Sequence, residues 1–110
     1  MSLDVYLING NDPNQEMLWT HNITHNLTAM AEAADVCKAL WRPEELGLVL
    51  AKDVQPHLIR GLGALLTNPT KFEALNPPNG WGSYANLRTM LVDYAEACGR
   101  WPEAVIHISR

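Results

Sequence analysis

Glu16-Met17-Leu18-Trp19-Thr20-His21-Asn22-Ile23-Thr24-His25-Asn26-Leu27 is the stretch on which the reading of the fold turns. Glu16 to Thr20 reads as a short strand, and from Thr20 or Asn22 the hydrophobic period changes to that of a helix. Ile23, Leu27, Met30, Ala31 and Ala34 then recur at helical spacing. Asn22 or Thr24 can cap the first turn, and Met30-Ala31-Glu32-Ala33-Ala34 has high helix propensity.

Upstream, Leu3 to Asn9 alternates and carries β-branched and aromatic residues, the signature of a strand. The turn formers of Asn9-Gly10-Asn11-Asp12-Pro13-Asn14 follow, so the chain opens with a hairpin that has a longer loop. Downstream, a short helical turn is expected from Val36 to Trp41, ending before Pro43. Asp53 can cap a third helix with Pro56 in its first turn, and Val54, Leu58, Leu62, Leu65 and Leu66 form its buried stripe. Gly61 and Gly63 would weaken that helix unless another element packs closely there.

Thr67-Asn68-Pro69 ends the third helix, Pro69 to Leu75 adds one or two turns, and Asn76 to Gly82 is an irregular loop. The last helix starts at a Ser83 cap, buries Tyr84, Leu87, Met90, Leu91, Tyr94, Ala95 and Cys98, and places Gly99 as a C′ glycine. Ala104 to Ser109 alternates as a closing strand. The expected fold is a small α+β domain spanning residues 1–110. Its sheet of about three strands, the N-terminal hairpin plus the C-terminal strand, is covered by three to five helices.

A chain of 110 residues, 47% hydrophobic, can bury a core without staples. Its net charge of −4 and scattered basic residues disfavour nucleic acid as a partner. No apolar run is long enough to span a bilayer. The N-terminal residues lack the pattern of a signal peptide, which makes a cytoplasmic location the default. Cys37 and Cys98 are far apart in apolar helical contexts and read as buried thiols.

Three polar-aromatic segments exceed what folding asks for. The first holds His21, Asn22, Thr24, His25 and Asn26. On one helix His21 and His25 would share a face, but Asn22 stands where a zinc hydrolase has its glutamate, and no third ligand is fixed, so no metal is expected. The second, Leu40-Trp41-Arg42-Pro43-Glu44-Glu45, combines an indole, a guanidinium and two carboxylates. Arg42 can grip an anion there or pair with its own acids. The third, Asn79-Gly80-Trp81-Gly82-Ser83-Tyr84, frees the backbone around an indole that can stack on a ligand or plug the core. No nucleophilic triad can be nominated, and no motif names a cofactor.

Met1 to Leu7, Asn22 to Leu27, Leu40 to Glu45, Asn76-Pro77 with Asn79 to Tyr84, and Ile108-Ser109-Arg110 together resemble a family of small uncharacterised bacterial and phage proteins. The resemblance covers nearly the whole chain. It implies a compact single domain in which the three segments belong together. The family often has a Gly-Ile-Tyr-like sequence after the first helix, where this chain has Ala34-Asp35-Val36-Cys37.

The expected function is binding of a small planar anionic, nucleotide-like ligand. Its pocket would be built by His21, Asn22, Thr24, His25, Asn26, Trp41, Arg42, Glu45, Asn79, Trp81 and Tyr84. One alternative is a hydrolase or lyase with His25 as general acid or base, oriented by Glu44 or Glu45. The other is a protein-interaction or inhibitor module that uses Trp41, Trp81 and Trp101 as contact patches.

Overall fold

The computed structural model describes residues 2–110. Strands β1 (Ser2–Ile8) and β2 (Met17–Thr24) form the hairpin, and β3 (Val105–Ser109) closes an antiparallel sheet of order β2-β1-β3. Between them lie α1 (Thr28–Ala33), α2 (Cys37–Trp41), α3 (Ala51–Thr67), α4 (Pro69–Glu73) and α5 (Tyr84–Arg100). Single 3-10 turns at His25–Leu27 and Pro43–Leu46 join them. This is the α+β architecture expected, with the strand order now defined.

Alternation along β1 explains the layering. Leu3, Val5 and Leu7 are fully buried, whereas Asp4, Tyr6 and Ile8 are half-exposed, so the helices cover one face of the sheet. One continuous core runs from these leucines through Leu27, Met30 and Leu40 to Val54, Leu58 and Leu65 on α3 and Leu87, Met90, Leu91 and Tyr94 on α5. On the open face Asn22 Nδ2 donates to Ser2 Oγ (2.9 Å) and Asp4 Oδ1 (2.7 Å).

The second strand corrects the expected helix start. It continues to Thr24, pairing His21 with Val5 and Ile23 with Leu3. Trp19, His21 and Ile23 point toward the helices and Thr20 and Asn22 away, so the period of two outlasts the point where capping residues suggested a helix. Seven residues of β1 offer a partner to that length, and cross-strand pairing overrides the local preference of His, Asn and Thr. Thr24 does act as a cap, its Oγ1 accepting from Asn26 N at 3.2 Å, but for the 3-10 turn.

Smaller differences have similar local causes. Helix α3 begins at Ala51, so Asp53 lies inside it and caps from the third position, accepting from Leu50 N at 3.0 Å. Pro56 falls in the second turn, on the exposed side. Leu66 is 57% exposed, because the stripe facing the core is Val54, Leu58, Gly61 and Leu65. Gly99 is inside α5, which runs on to Arg100 and stops before Pro102.

Gly61 and Gly63 test the packing argument with opposite signs. A Cβ on Gly61 would lie 2.9 Å from Val36 Cβ, while one on Gly63 meets nothing within 4 Å. Gly61→Ala is expected to destabilise by about 1–2 kcal/mol, since overpacking outweighs the gain in helix propensity. Gly63→Ala should stabilise by about 0.5–1 kcal/mol. Urea unfolding midpoints moving in the same direction for both would refute the close approach of α3 to Val36.

The two sheet edges differ. Ile106 N–H donates to Val49 O and Ala51 N–H to Ala104 O, both at 2.9 Å, covering the start of the outer edge of β3. Farther along, Arg110 Nη1 donates to Trp41 O (2.6 Å) and Glu44 Oε1 (2.7 Å), tying the end of the chain to α2 and the turn after it. That guanidinium holds the Glu44 carboxyl below its usual range. The edge of β2 has no such cover among the described residues.

Candidate functional site

Two of the three segments meet at the end of β2. Gly82 sits so close to the 3-10 turn that a Cβ there would be 2.6 Å from Thr24 Cγ2 and 3.0 Å from Leu27 Cγ. Beside this contact is a hollow of about 210 Å³ lined by His21, Asn22, Ile23, Thr24, Gly82, Asn86 and Thr89. His21 is half-buried on the helix-facing side, its Nδ1 3.2 Å from Asp93 Oδ2. Asn86, Thr89 and Asp93 belong to the polar stripe of α5. Their spacing was visible in the sequence, but only the tertiary fold lays that stripe against β2.

The loop from Asn76 to Ser83 is pinned at both ends and displays Trp81 at its tip. Asn76 Oδ1 accepts from Tyr84 N at 2.7 Å, and Ser83 Oγ caps α5 by accepting from Asn86 N at 3.3 Å. Asn79 Oδ1 accepts from Trp81 N at 3.0 Å. Gly80 and Gly82 adopt φ of 74° and 98°, the left-handed region that glycine tolerates. The result is an indole 70% exposed, not a plug in the core.

The remaining expected residues lie elsewhere or are already occupied. Tyr84 is buried and its hydroxyl donates to Leu65 O at 2.7 Å, a bond internal to the fold. Trp41 is only 6% exposed, with its ring 6.2 Å from that of His25 in an edge arrangement. Its Nε1 and His25 Nε2 are buried without hydrogen-bond partners among the described residues. Arg42 is exposed with its Nε 3.8 Å from Glu45 Oε2, and Lys38 approaches Glu45 at 3.7 Å. Asn26 is exposed. No hydrogen bond joins His25 to Glu44 or Glu45 among the described residues, so the orientation required of a general acid or base is not built.

A roomier cavity than the hollow beside Gly82 is one the sequence did not single out. About 500 Å³ in volume, it is lined by Glu32, Asp35, Cys37, Lys38, Ala39, Leu46, His57 and Arg60. Arg60 Nη2 donates to Asp35 O at 3.3 Å and lies 3.4 Å from His57 Nδ1. Cys37 is half-buried here, and burial first, then the Glu32 carboxylate, push its thiol up, so it stays protonated and is a poor nucleophile. Asp35, in the left-handed region at φ of 56°, stands where the chain turns from α1 into α2 beside His57 and Arg60.

No group of three His, Cys, Asp or Glu side chains suited to a metal occurs among the described residues. No helix among them is long and apolar enough to cross a membrane. Compared with protein-family models, curated proteins and solved structures, the chain matches none.

Proposed function

We propose that this protein is an interaction module that binds a partner protein through Trp81 and the adjoining face formed by β2 and the start of α5. One observation carries the reading: a tryptophan 70% exposed on a loop held by three hydrogen bonds from the side chains of Asn76, Asn79 and Ser83. An indole left in water forfeits apolar burial, and holding it in a fixed loop is the arrangement expected of an interface anchor. The neighbouring hollow adds polar groups that would satisfy a partner at its rim. Trp81→Ala should leave the unfolding midpoint within about 0.5 kcal/mol of the parent yet cut partner capture from source-cell extract at least about tenfold. Val92→Ala, another exposed apolar truncation, serves as control. Equal capture by both variants would overturn the assignment.

A second reading is favoured by the cavity of about 500 Å³, a volume suited to a small molecule. Lys38, His57 and Arg60 would meet the anionic part of a nucleotide-like ligand there. No tryptophan lines this cavity, so stacking by Trp41 or Trp81 is not part of this reading. Calorimetric titration with a nucleotide panel showing heat that Arg60→Ala abolishes and Trp81→Ala preserves would favour it.

A further inference from the structure

The open edge of β2 can be given a direction and a register. Because Ile106 N–H points away from β1 to Val49, the antiparallel alternation makes His107 and Tyr6 a hydrogen-bonded pair and turns Val5 toward β2. His21 then exchanges hydrogen bonds with Val5, and the backbone groups of Thr20 and Asn22 project outward. No hydrogen bond among the described residues uses those outward groups. The strand carries no charged residue and no proline, and such residues are the usual guards of an exposed edge.

Two hollows of about 210 Å³ flank this edge on the helix side. One is the hollow already described, with Gly82, Asn86 and Thr89. The other is lined by Trp19, Asp93, Glu96, Ala97, Arg100 and Trp101. Trp19 and Ile23 are four residues apart, roughly 13 Å along a strand, so the hollows match alternate inward side chains of a strand laid beside β2. The first hollow offers neutral hydrogen-bonding groups. In the second, two carboxylates face one guanidinium, Arg100, which lies 3.4 Å from Glu96.

We infer that the β2 edge at Thr20 and Asn22 accepts an extended segment of a partner protein, with a basic side chain opposite Trp19 and a small polar one opposite Ile23. The inference rests on the interaction reading above and names the partner's chemistry. Charge selects this occupant over a second copy of the chain. In self-pairing the strand laid beside β2 would carry no Lys or Arg, and each added hollow would bring two carboxylates for its one guanidinium, between molecules of net charge −4. Backbone bonds to Thr20 and Asn22 would give affinity, and the two hollows would set specificity.

The test uses the full chain, labelled for amide exchange, with short extended Thr/Val peptides carrying one Lys or one Glu at an inward position. The Lys peptide should slow exchange of the Thr20 and Asn22 amides about tenfold or more and bind about tenfold tighter than the Glu peptide. Asp93→Asn should erase that discrimination. Thr20→Pro should abolish protection of the Asn22 amide while keeping the unfolding midpoint, because an outward N–H on an edge strand is dispensable to the sheet. Thr20→Val should keep protection. Slowed exchange that grows with protein concentration and needs no peptide would overturn the inference in favour of self-pairing. A shift in Trp81 emission with unprotected Thr20 and Asn22 would sink strand addition but leave the interaction reading standing. Neither signal would sink both.

Discussion

Gly82→Ala is expected to lower stability by about 3 kcal/mol, more than any other single-methyl change in the loop. Two costs add. A residue with a Cβ at φ of 98° is strained by about 1–2 kcal/mol. The new methyl would also lie 2.6 Å from Thr24 Cγ2 and 3.0 Å from Leu27 Cγ, and relieving such overlap in a packed region costs about 1–3 kcal/mol. Gly80→Ala separates the costs: its φ of 74° carries the strain, but nothing stands within 4 Å of the new atom, so a loss of only about 1 kcal/mol is expected. Equal urea midpoints for the two variants would show that the loop does not pack on the 3-10 turn. Movement of the loop should also shift Trp81 emission in Gly82→Ala alone.

Tyr94 gives the other large effect, and its two truncations should diverge. The residue is fully buried, stacks on Trp19 with ring centroids 5.0 Å apart, and its hydroxyl has no hydrogen-bond partner among the described residues. Tyr94→Ala is expected to cost about 3–5 kcal/mol, the range for removing a buried aromatic ring. Tyr94→Phe should be neutral or stabilising by up to about 1 kcal/mol, because it removes only an unsatisfied polar atom. Burial also pushes the Tyr94 hydroxyl up from its ordinary value near 10 and the Cys98 thiol up to about 12. Both folded values exceed the unfolded ones, so the unfolded chain loses these protons first. Stability should fall once pH passes about 9, the ordinary thiol value. Tyr94→Phe should soften the decline above pH 10. A parent chain whose midpoint holds from pH 8 to pH 11 would contradict the burial of both groups.

Where hydrophobic period and punctuation agreed, the sequence was enough to place an element. Ser83 before the stripe of α5, Asn68-Pro69 after α3, and the alternation of Leu3, Val5 and Leu7 all gave elements of the right type. The second strand failed because its side chains are good helix caps, and only its register against β1 reveals the buried alternation of Trp19, His21 and Ile23. The candidate site was legible in part. The segments around Thr24 and Gly82 do meet, as their polar excess suggested. Tyr84 was rightly placed on the buried face, but its hydroxyl is spent on Leu65 O. Trp41 lies inward where a ligand contact was expected, because an aromatic near polar neighbours looks the same in sequence whether it faces inward or outward. Trp81 shows the opposite case, since its two glycines signalled an unusual backbone but not which way the indole would point. Asp93, Lys38, His57 and Arg60 could not be grouped, because their neighbours come from distant parts of the chain.

The order of the strands bears on how the molecule is made. β1 is central, yet its two partners arrive at very different times: β2 follows after a short loop, while Asp4 pairs with Ser109 near the other end of the chain. A ribosome would release the hairpin early and leave the second flank of β1 without its neighbour until the five helices and then β3 had emerged. Closure over that separation is entropically costly and slow, so the final strand should dock last, onto helices already assembled. Through that interval the nascent chain offers two bare strand flanks, and afterwards the flank of β1 is paired and the start of the outer edge of β3 is covered. The vulnerability to aggregation is therefore greatest during synthesis, and the amides of β3 should be the last to gain protection on refolding.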